Sequence, residues 1–289
     1  MKILLTGASG QVGYELARSL QSYGEVIALD RRSMDLADLD QVRDVIRAMK
    51  PALIVNPAAY TAVDKAEQEP ELAMRINGEA PGVMAQESAR LGAAMIQYST
   101  DYVFDGSKSG AYTEDDATNP LSVYGRSKLA GEQAVQAAGI AHLILRTSWV
   151  YGTRGKNFML TIQRLAQERD HLRIVADQHG APTWCRTLAD TTANIIGQLG
   201  NPTSARQAWQ QASGIYHLTA QGQTTWHGFA QAIVAALPET KKPQITPIAS
   251  NDYPLPAARP QNSVLSSQRL INRFCRLPHW QAALALSLE

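Results

Sequence analysis

Cysteine is scarce. Cys185 and Cys275 are the only two in 289 residues, and their spacing matches no metal-ligand pattern. That excludes a disulfide-stapled scaffold and fits a reducing cytoplasm, with both thiols serving as small core residues. No run of 18 apolar residues exists, so no transmembrane helix is expected. The apolar opening at residues 2–5 halts at Thr6 and Gly7, too short for a signal-peptide core, and reads as a strand. Charge of one sign is also lacking: the formal balance of +1 gives no global attraction to nucleic acid or to a membrane surface. No internal repeat or low-complexity tract is visible. The length suffices for one large or two modest domains with a real core.

What is present is alternation. A short apolar run at residues 2–6 meets a glycine turn, Gly7-x-x-Gly10-x-x-Gly13, and a helical apolar pattern continues over residues 14–20. Strand, glycine turn and helix together are the context of a dinucleotide site. The glycines let backbone approach a pyrophosphate, and the helix N-terminus offers free N–H groups and a positive dipole end. Residues 25–30 read as the second strand, ending in Asp30. A carboxylate there suits ribose hydroxyls and NADH, whereas Arg31 and Arg32 suit a 2′-phosphate and NADPH, so the cofactor preference stays open. After it are expected a helix at 39–49, a buried strand at 52–55 and a small-residue loop at 56–61. Next come a helix at 71–91 interrupted near Pro81, a strand at 93–98 and a polar loop at 106–118. A fifth strand at 141–146 ends in residues 147–152. Parallel strands with helical crossovers predict an α/β fold, a Rossmann-type doubly wound sheet covered on both faces.

Past residue 152 the alternation weakens. Helices are expected at 157–168, 187–199 and 226–237, strands at 172–175, 214–218 and 245–248, and a loop at 200–212. Residues 253–263 carry several prolines and read as an extended strap. The expected division is a nucleotide-binding domain over 1–151, to which later segments return, and a smaller α/β substrate-binding domain mainly over 152–289.

The stretch with the clearest chemistry is LSVYGRSKLAGE, residues 121–132. Asn119 and Pro120 suit the start of a helix. On that helix Tyr124 and Lys128 share a face. A cation beside a phenol lowers its pKa from about 10, fitting it to move a proton near neutral pH. Ser99 and Thr100, at the tip of the 93–98 strand, are placed to hydrogen-bond a substrate carbonyl, or serve as ordinary turn formers.

These motifs together resemble the extended short-chain dehydrogenase/reductase superfamily and, within it, the dTDP-4-dehydrorhamnose reductase family. Further stretches carry the closer likeness: TAVDKAE at 61–67, YSTDYVF at 98–104, RTSWVY at 146–151, GAPT at 180–183 and Arg259-Pro-x-Asn-Ser263. The resemblance implies reduction of the 4-keto group of a dTDP-linked 4-dehydro-6-deoxyhexose with NADPH or NADH, in nucleotide-sugar biosynthesis for cell-surface polysaccharide. It implies Thr100, Tyr124 and Lys128 as the catalytic set. Gly7, Gly10, Gln11, Val12 and Gly13 would line the pyrophosphate. Asp30, Arg31, Asp35 and Leu36 would hold the adenosine, and Ala59, Tyr60, Thr61 and Tyr98 would flank the cofactor, with Tyr124 and Lys128. Thr100, Asp101, Trp149, Asn157 and Arg259 would touch the sugar nucleotide, with Phe158 and Thr183 as further candidates. Some family members place an acidic residue between positions 183 and 190 that works with Mg²⁺ at a homodimer contact. Here residues 184–189 (WCRTLA) hold no carboxylate, which speaks against a metal-bridged dimer. Two alternatives share these features. One is an epimerase or dehydratase of the same fold, although Asp101-Tyr102 is not the Asp-Glu pair a dehydratase needs. The other is a non-catalytic cofactor-binding regulatory subunit resembling that of methionine adenosyltransferase.

Overall fold

Apolar side chains along each of the central strands go alternately to two destinations, and that alternation builds the molecule. The computed structural model describes residues 1–238 and 242–289. In it β1 (Lys2–Leu5), β2 (Glu25–Ala28), β3 (Leu53–Asn56), β4 (Ala94–Thr100) and β5 (His142–Thr147) run parallel. Ile3, Leu5, Leu53, Val55, Ile96, Leu143 and Leu145 pack into one cluster, while Leu4, Ile54, Met95 and Ile144 pack into another. Strand side chains alternate with period two, so both faces of this sheet are apolar and both need helices.

The helices between these strands are α1 (Gln11–Ser19), α2 (Leu39–Met49), α3 (Val63–Ala66), α4 (Pro70–Met74), α5 (Ala80–Leu91) and α6 (Val123–Ala137). Beyond β5 the chain runs through β6 (Val150–Tyr151), α7 (Phe158–Glu168), β7 (His171–Val175), β8 (His179–Gly180) and β9 (Thr183–Trp184). It continues through α8 (Cys185–Leu199), α9 (Arg206–Ala212), β10 (Gly214–His217), β11 (Thr224–Thr225) and α10 (Trp226–Ala235). It ends with β12 (Gln244–Ile248), α11 (Gln268–Arg273) and α12 (Trp280–Leu288). Leu16 of α1 and Leu188 and Ile195 of α8 cover the first face. Val42 and Ile46 of α2, Met84 of α5 and Val135 of α6 cover the second. The sheet order is β10-β5-β4-β3-β1-β2, with β10 pairing onto β5 from far along the chain. A third cluster, built on Tyr151, Met159, Ile162, Phe229, Ile233 and Trp280, joins α7, α10 and α12 beside the sheet. The pairs β7–β12, β6–β9 and β8–β11 frame it.

Two local expectations are corrected, and the interruption expected near Pro81 is present. Helix α6 begins at Val123, not at Asn119-Pro120, because the Ser122 hydroxyl caps it by accepting the Gly125 N–H at 3.1 Å. The interruption in the 71–91 helix is a π turn over 75–79 ahead of Pro81, which sits in the first turn of α5 where its missing N–H leaves no gap. Residues 200–212 are not all loop. Their polar composition hid α9, a short helix that turns Trp209 and Ala212 inward. Trp209 is fully buried, and its indole N–H donates to the Gly200 carbonyl at 2.9 Å. Replacing Trp209 with alanine is expected to destabilise the fold by about 3–5 kcal/mol. Urea unfolding checks this, and a loss well under that range would mean α9 contributes little to the first cluster.

Candidate active site

In the sheet order, β1 has β2 on one side and β3 on the other, so the crossover from β1 to β2 and the next one, from β2 back past β1 to β3, run in opposite directions. That reversal opens a crevice beyond the C-terminal strand ends, where ligands bind in open α/β sheets. A cleft of about 550 Å³ lies there. Its floor is the turn between β1 and α1. Gly7 has a left-handed backbone (φ +60), and a Cβ on Gly13 would fall 2.1 Å from the Gly7 carbonyl oxygen. Only glycines allow a turn this tight. Gly10 precedes α1 without a side-chain cap, so the first-turn amides of Gln11, Val12 and Gly13 have no capping acceptor and lie on the cleft.

The opposite wall rests on a line of buried polar side chains across three strand tips. The Thr6 hydroxyl donates to Asn56 Oδ1. The Asn56 amide donates to Gln97 Oε1 (2.8 Å), and the Gln97 amide donates to the Tyr98 carbonyl (3.0 Å). The same carbonyl accepts Lys128 Nζ at 2.6 Å. Lys128 is buried, and loss of solvent brings its pKa down to about 8, against the upward pull of Glu132 one turn along α6. Glu132 is itself held in a bidentate pair with buried Arg146 (2.9 and 2.6 Å). Tyr124 lines the cleft one turn before Lys128. Here the expectation is reversed. Lys128 is turned to the Tyr98 carbonyl and does not acidify Tyr124. Burial pushes the phenol up to about 12, partly offset by hydrogen bonding with Thr100.

Thr100 and Asp101 are buried at the tip of β4, and the Thr100 hydroxyl donates to Asp101 Oδ1 at 2.9 Å. The edge-on contact of the Tyr102 and Tyr124 rings (centroids 5.6 Å apart) brings α6 against this segment. Gly125 permits the approach, since a Cβ there would lie 2.2 Å from the Tyr102 carbonyl oxygen.

Of the other expected residues, Arg31, Asp35, Leu36, Ala59, Tyr60 and Thr61 line the cleft. Tyr98 lines it too, but its ring is buried and its hydroxyl bonds Thr192 at 2.6 Å, so only its backbone serves the site. Asp30 stands just outside, in an adjoining open depression with Ser9, Arg31, Arg32 and Asp35. Its Oδ1 accepts the N–H and hydroxyl of Ser33 and the N–H of Arg32, and these bonds hold its carboxyl below the usual range. Asn157 is occupied by the fold: it caps α7 and donates to Gln11 Oε1 (2.9 Å) and the Gly152 carbonyl (2.8 Å). Arg259 is likewise engaged, in a bidentate pair with Asp64 (3.0 and 2.7 Å) that ties the proline-rich strap to α3. Trp149 adopts a left-handed backbone (φ +46) and stacks on Trp226 with centroids 3.6 Å apart. Phe158 packs against Trp226 within the third apolar cluster, and Thr183 is buried with its hydroxyl on the Ala181 carbonyl.

Several cleft residues escaped the sequence reading, among them Ser9, Met34, Ile76, Val150 and Lys156. Lys156 had one available signal, a cation in a glycine-containing loop just past a strand tip. Asn77 was noticed only as a helical residue. It sits in the π turn and clamps the 56–61 loop, accepting the Tyr60 N–H (2.8 Å) and donating to the Tyr60 carbonyl (3.0 Å) and Ser127 (3.0 Å).

The family model described as the RmlD substrate binding domain matches residues 1–289. A dTDP-4-dehydrorhamnose reductase of Burkholderia thailandensis is 50% identical over 296 residues, spanning 100% of this chain and 98% of the relative. This chain belongs to the dTDP-4-dehydrorhamnose reductase family. A solved family member from Clostridium acetobutylicum superposes with a TM-score of 0.91 at 35% identity, covering 100% of this chain and 98% of that one. Another, from Bacillus anthracis and solved in complex with NADP, gives 0.89 at 33% identity, covering 99% and 98%.

A dinucleotide suits this family member's cleft. A Cβ at Gly7 or Gly13 would crowd the turn, uncapped amides face the cleft, and its volume lies in the range of small-molecule sites. Among the described residues no group of three or more His, Cys, Asp or Glu is arranged to hold a metal ion. Arg186, where an acidic residue was sought, is 3.8 Å from Asp190. Among the described residues no helix is long and apolar enough to cross a membrane.

The protonated Lys128 is the form that donates, and its folded pKa is about 8. Turnover is therefore expected to fall as pH rises through about 8, and this limb should move to higher pH in Lys128→Arg. A kcat/KM profile of both proteins checks this. A limb at the same pH in each would assign the titration to another group.

Proposed function

We propose that this chain reduces the 4-keto group of dTDP-4-dehydro-6-deoxy-L-mannose to give dTDP-L-rhamnose, using NADPH or NADH. The observation that carries this reading is the placing of Tyr124 and Lys128 on a glycine-floored cleft, with the buried Thr100 hydroxyl beside Tyr124, in a chain with family membership over its full length. The bound reduced nicotinamide supplies the hydride. The protein supplies position and charge. Gly7, Gly10 and the first turn of α1 hold the diphosphate, and Asp35, Leu36, Arg31 and Asp30 flank the adenosine end. Lys128 keeps one donor on the Tyr98 carbonyl, and its remaining N–H groups would hold the nicotinamide ribose. Tyr124 gives its proton to the sugar's keto oxygen as negative charge grows there. The Thr100 hydroxyl stabilises the same oxygen. A phenol pKa near 12 suits a group that must keep its proton until an alkoxide forms.

In this reading the sheet half, residues 1–151 with β10 returning to it, carries the cofactor. Residues 152–289 mainly carry the sugar nucleotide, with the stacked Trp149 forming part of that wall. The adenosine end has two carboxylates, Asp30 and Asp35, and two guanidinium groups, Arg31 and Arg32, which favours use of either nicotinamide. Two free thiols, Cys185 and Cys275, and a nucleotide-linked substrate fit a cytoplasmic enzyme.

Mixing the protein with NADPH or NADH and the keto-sugar should bleach the reduced-nicotinamide absorbance and yield dTDP-L-rhamnose. Tyr124→Phe should lose about 10²–10⁴-fold in kcat, the usual contribution of a positioned acid, while NADPH affinity holds. Full turnover in that variant would remove Tyr124 from the mechanism. Absence of turnover in wild-type protein that binds NADPH would point to a regulatory cofactor-binding subunit.

A further inference from the structure

The least settled group near Tyr124 is Asp101. Its carboxyl is only 2% exposed, it has no ion-pair partner among the described residues, and its Oδ2 has no hydrogen-bond partner. The charged groups around it are engaged elsewhere. Lys128 is turned to the Tyr98 carbonyl, and Arg259 is paired with Asp64, donates to the Ala257 carbonyl and reaches Tyr102. The Ser263 hydroxyl, which also faces Asp101 from the proline-rich strap, donates its proton to the His179 carbonyl at 3.1 Å. The phenols of Tyr102 and Tyr124 complete the surroundings. A buried carboxylate in such a setting is costly, and a neutral carboxyl much less so.

The charge on Asp101 decides what Thr100 can donate. The Thr100 oxygen has one proton and two lone pairs. One lone pair accepts the Tyr102 N–H at 3.2 Å. If Asp101 is ionised it can only accept, so the Thr100 proton must lie on the 2.9 Å bond to Oδ1. Thr100 then has nothing to donate to a substrate oxygen, and its last lone pair competes for the Tyr124 proton. If Asp101 is neutral, its own O–H donates to Thr100. Both lone pairs are then filled, and the Thr100 proton is directed outward to the oxygen that gathers charge.

We propose that Asp101 is a positioning residue that acts in its neutral, protonated form, setting the direction of the Thr100 hydroxyl so that Thr100 donates to the sugar oxygen. The inference rests on the reductase reading for its functional consequence but not for the protonation state itself. Burial, which pushes the Asp101 carboxyl up to about 6, agrees with it.

Two measurements test the inference. The first is infrared difference spectroscopy of wild type against Asp101→Asn, in the NADPH complex and without turnover, at a pH about one unit below the Asp101 pKa. The expected result is a neutral carboxylic-acid carbonyl band that vanishes in the variant. A carboxylate band in its place would overturn the inference whatever the enzyme's substrate. The second is the pH profile of kcat/KM for the keto-sugar. Wild type should fall with rising pH as Asp101 ionises in the free enzyme, ahead of the Lys128 limb. Asp101→Asn, whose amide still donates to Thr100, should lack the earlier limb. Asp101→Leu, which cannot donate, should be slower than Asp101→Asn by about 10²-fold, the effect of losing one oriented donor. NADPH affinity should be equal in all three proteins. If Asp101→Asn is as slow as Asp101→Leu with NADPH binding intact, the carboxylate is needed and the inference fails. A neutral-acid band in protein that does not reduce the keto-sugar would contradict the reductase reading alone.

Discussion

A lysine ammonium buried at the tip of β4, with a backbone carbonyl as its direct partner, constrains the structure around it. Lys128 reaches the Tyr98 carbonyl at 2.6 Å, and no carboxylate is paired with it among the described residues. Removing such a charge from water costs several kcal/mol unless its donors are met. Its partner must therefore be fixed. The Tyr98 carbonyl is fixed twice, through its strand and through the Gln97 side chain, which is tied by Asn56 back to Thr6 just past β1. The result is a rigid crossbeam running from the glycine turn to the tyrosine helix. It sets the two ends of the cleft at a constant separation, as two reactants delivered to one place require.

Other contacts hold α6 to that crossbeam. The Glu132–Arg146 pair locks the helix to β5 inside the core, and Asn77 locks it to the loop after β3 through Ser127. The π turn that contains Asn77 is a local cost to the helix, and what it secures is a side chain aimed at Tyr60. On the far side, the Asp64–Arg259 pair brings the proline-rich strap against α3. The buried polar side chains that build the site thus gather at the strand tips, beside the apolar clusters of the sheet.

What could be read from the sequence was whatever is local. The glycine turn, the alternating strands and the Tyr124–Lys128 spacing are each carried by residues within a few positions of one another. The crossbeam was invisible because Thr6, Asn56 and Gln97 meet only when β1, β3 and β4 align, some 40 to 50 residues apart. The error about Tyr124 has the same origin. Spacing predicts that two side chains share a helix face, but it does not say that a carbonyl on another strand claims the lysine. The burial that raises the phenol's pKa is likewise a property of the assembled cleft. Asn157 and Arg259 were assigned to substrate from motif likeness, and the structure shows both side chains engaged in holding segments of the fold together. Short elements such as α9 and the two-residue strands lack enough period to be seen.

The most direct test of this account is a crystal structure of the protein with NADPH and dTDP-L-rhamnose. The sugar's 4-hydroxyl oxygen should lie within about 2.6–3.2 Å of both Tyr124 Oη and Thr100 Oγ1. Lys128 Nζ should still donate to the Tyr98 carbonyl. A product bound with that oxygen elsewhere, or a Lys128 released from Tyr98 in the complex, would contradict the claim that the buried lysine anchor sets the reacting geometry.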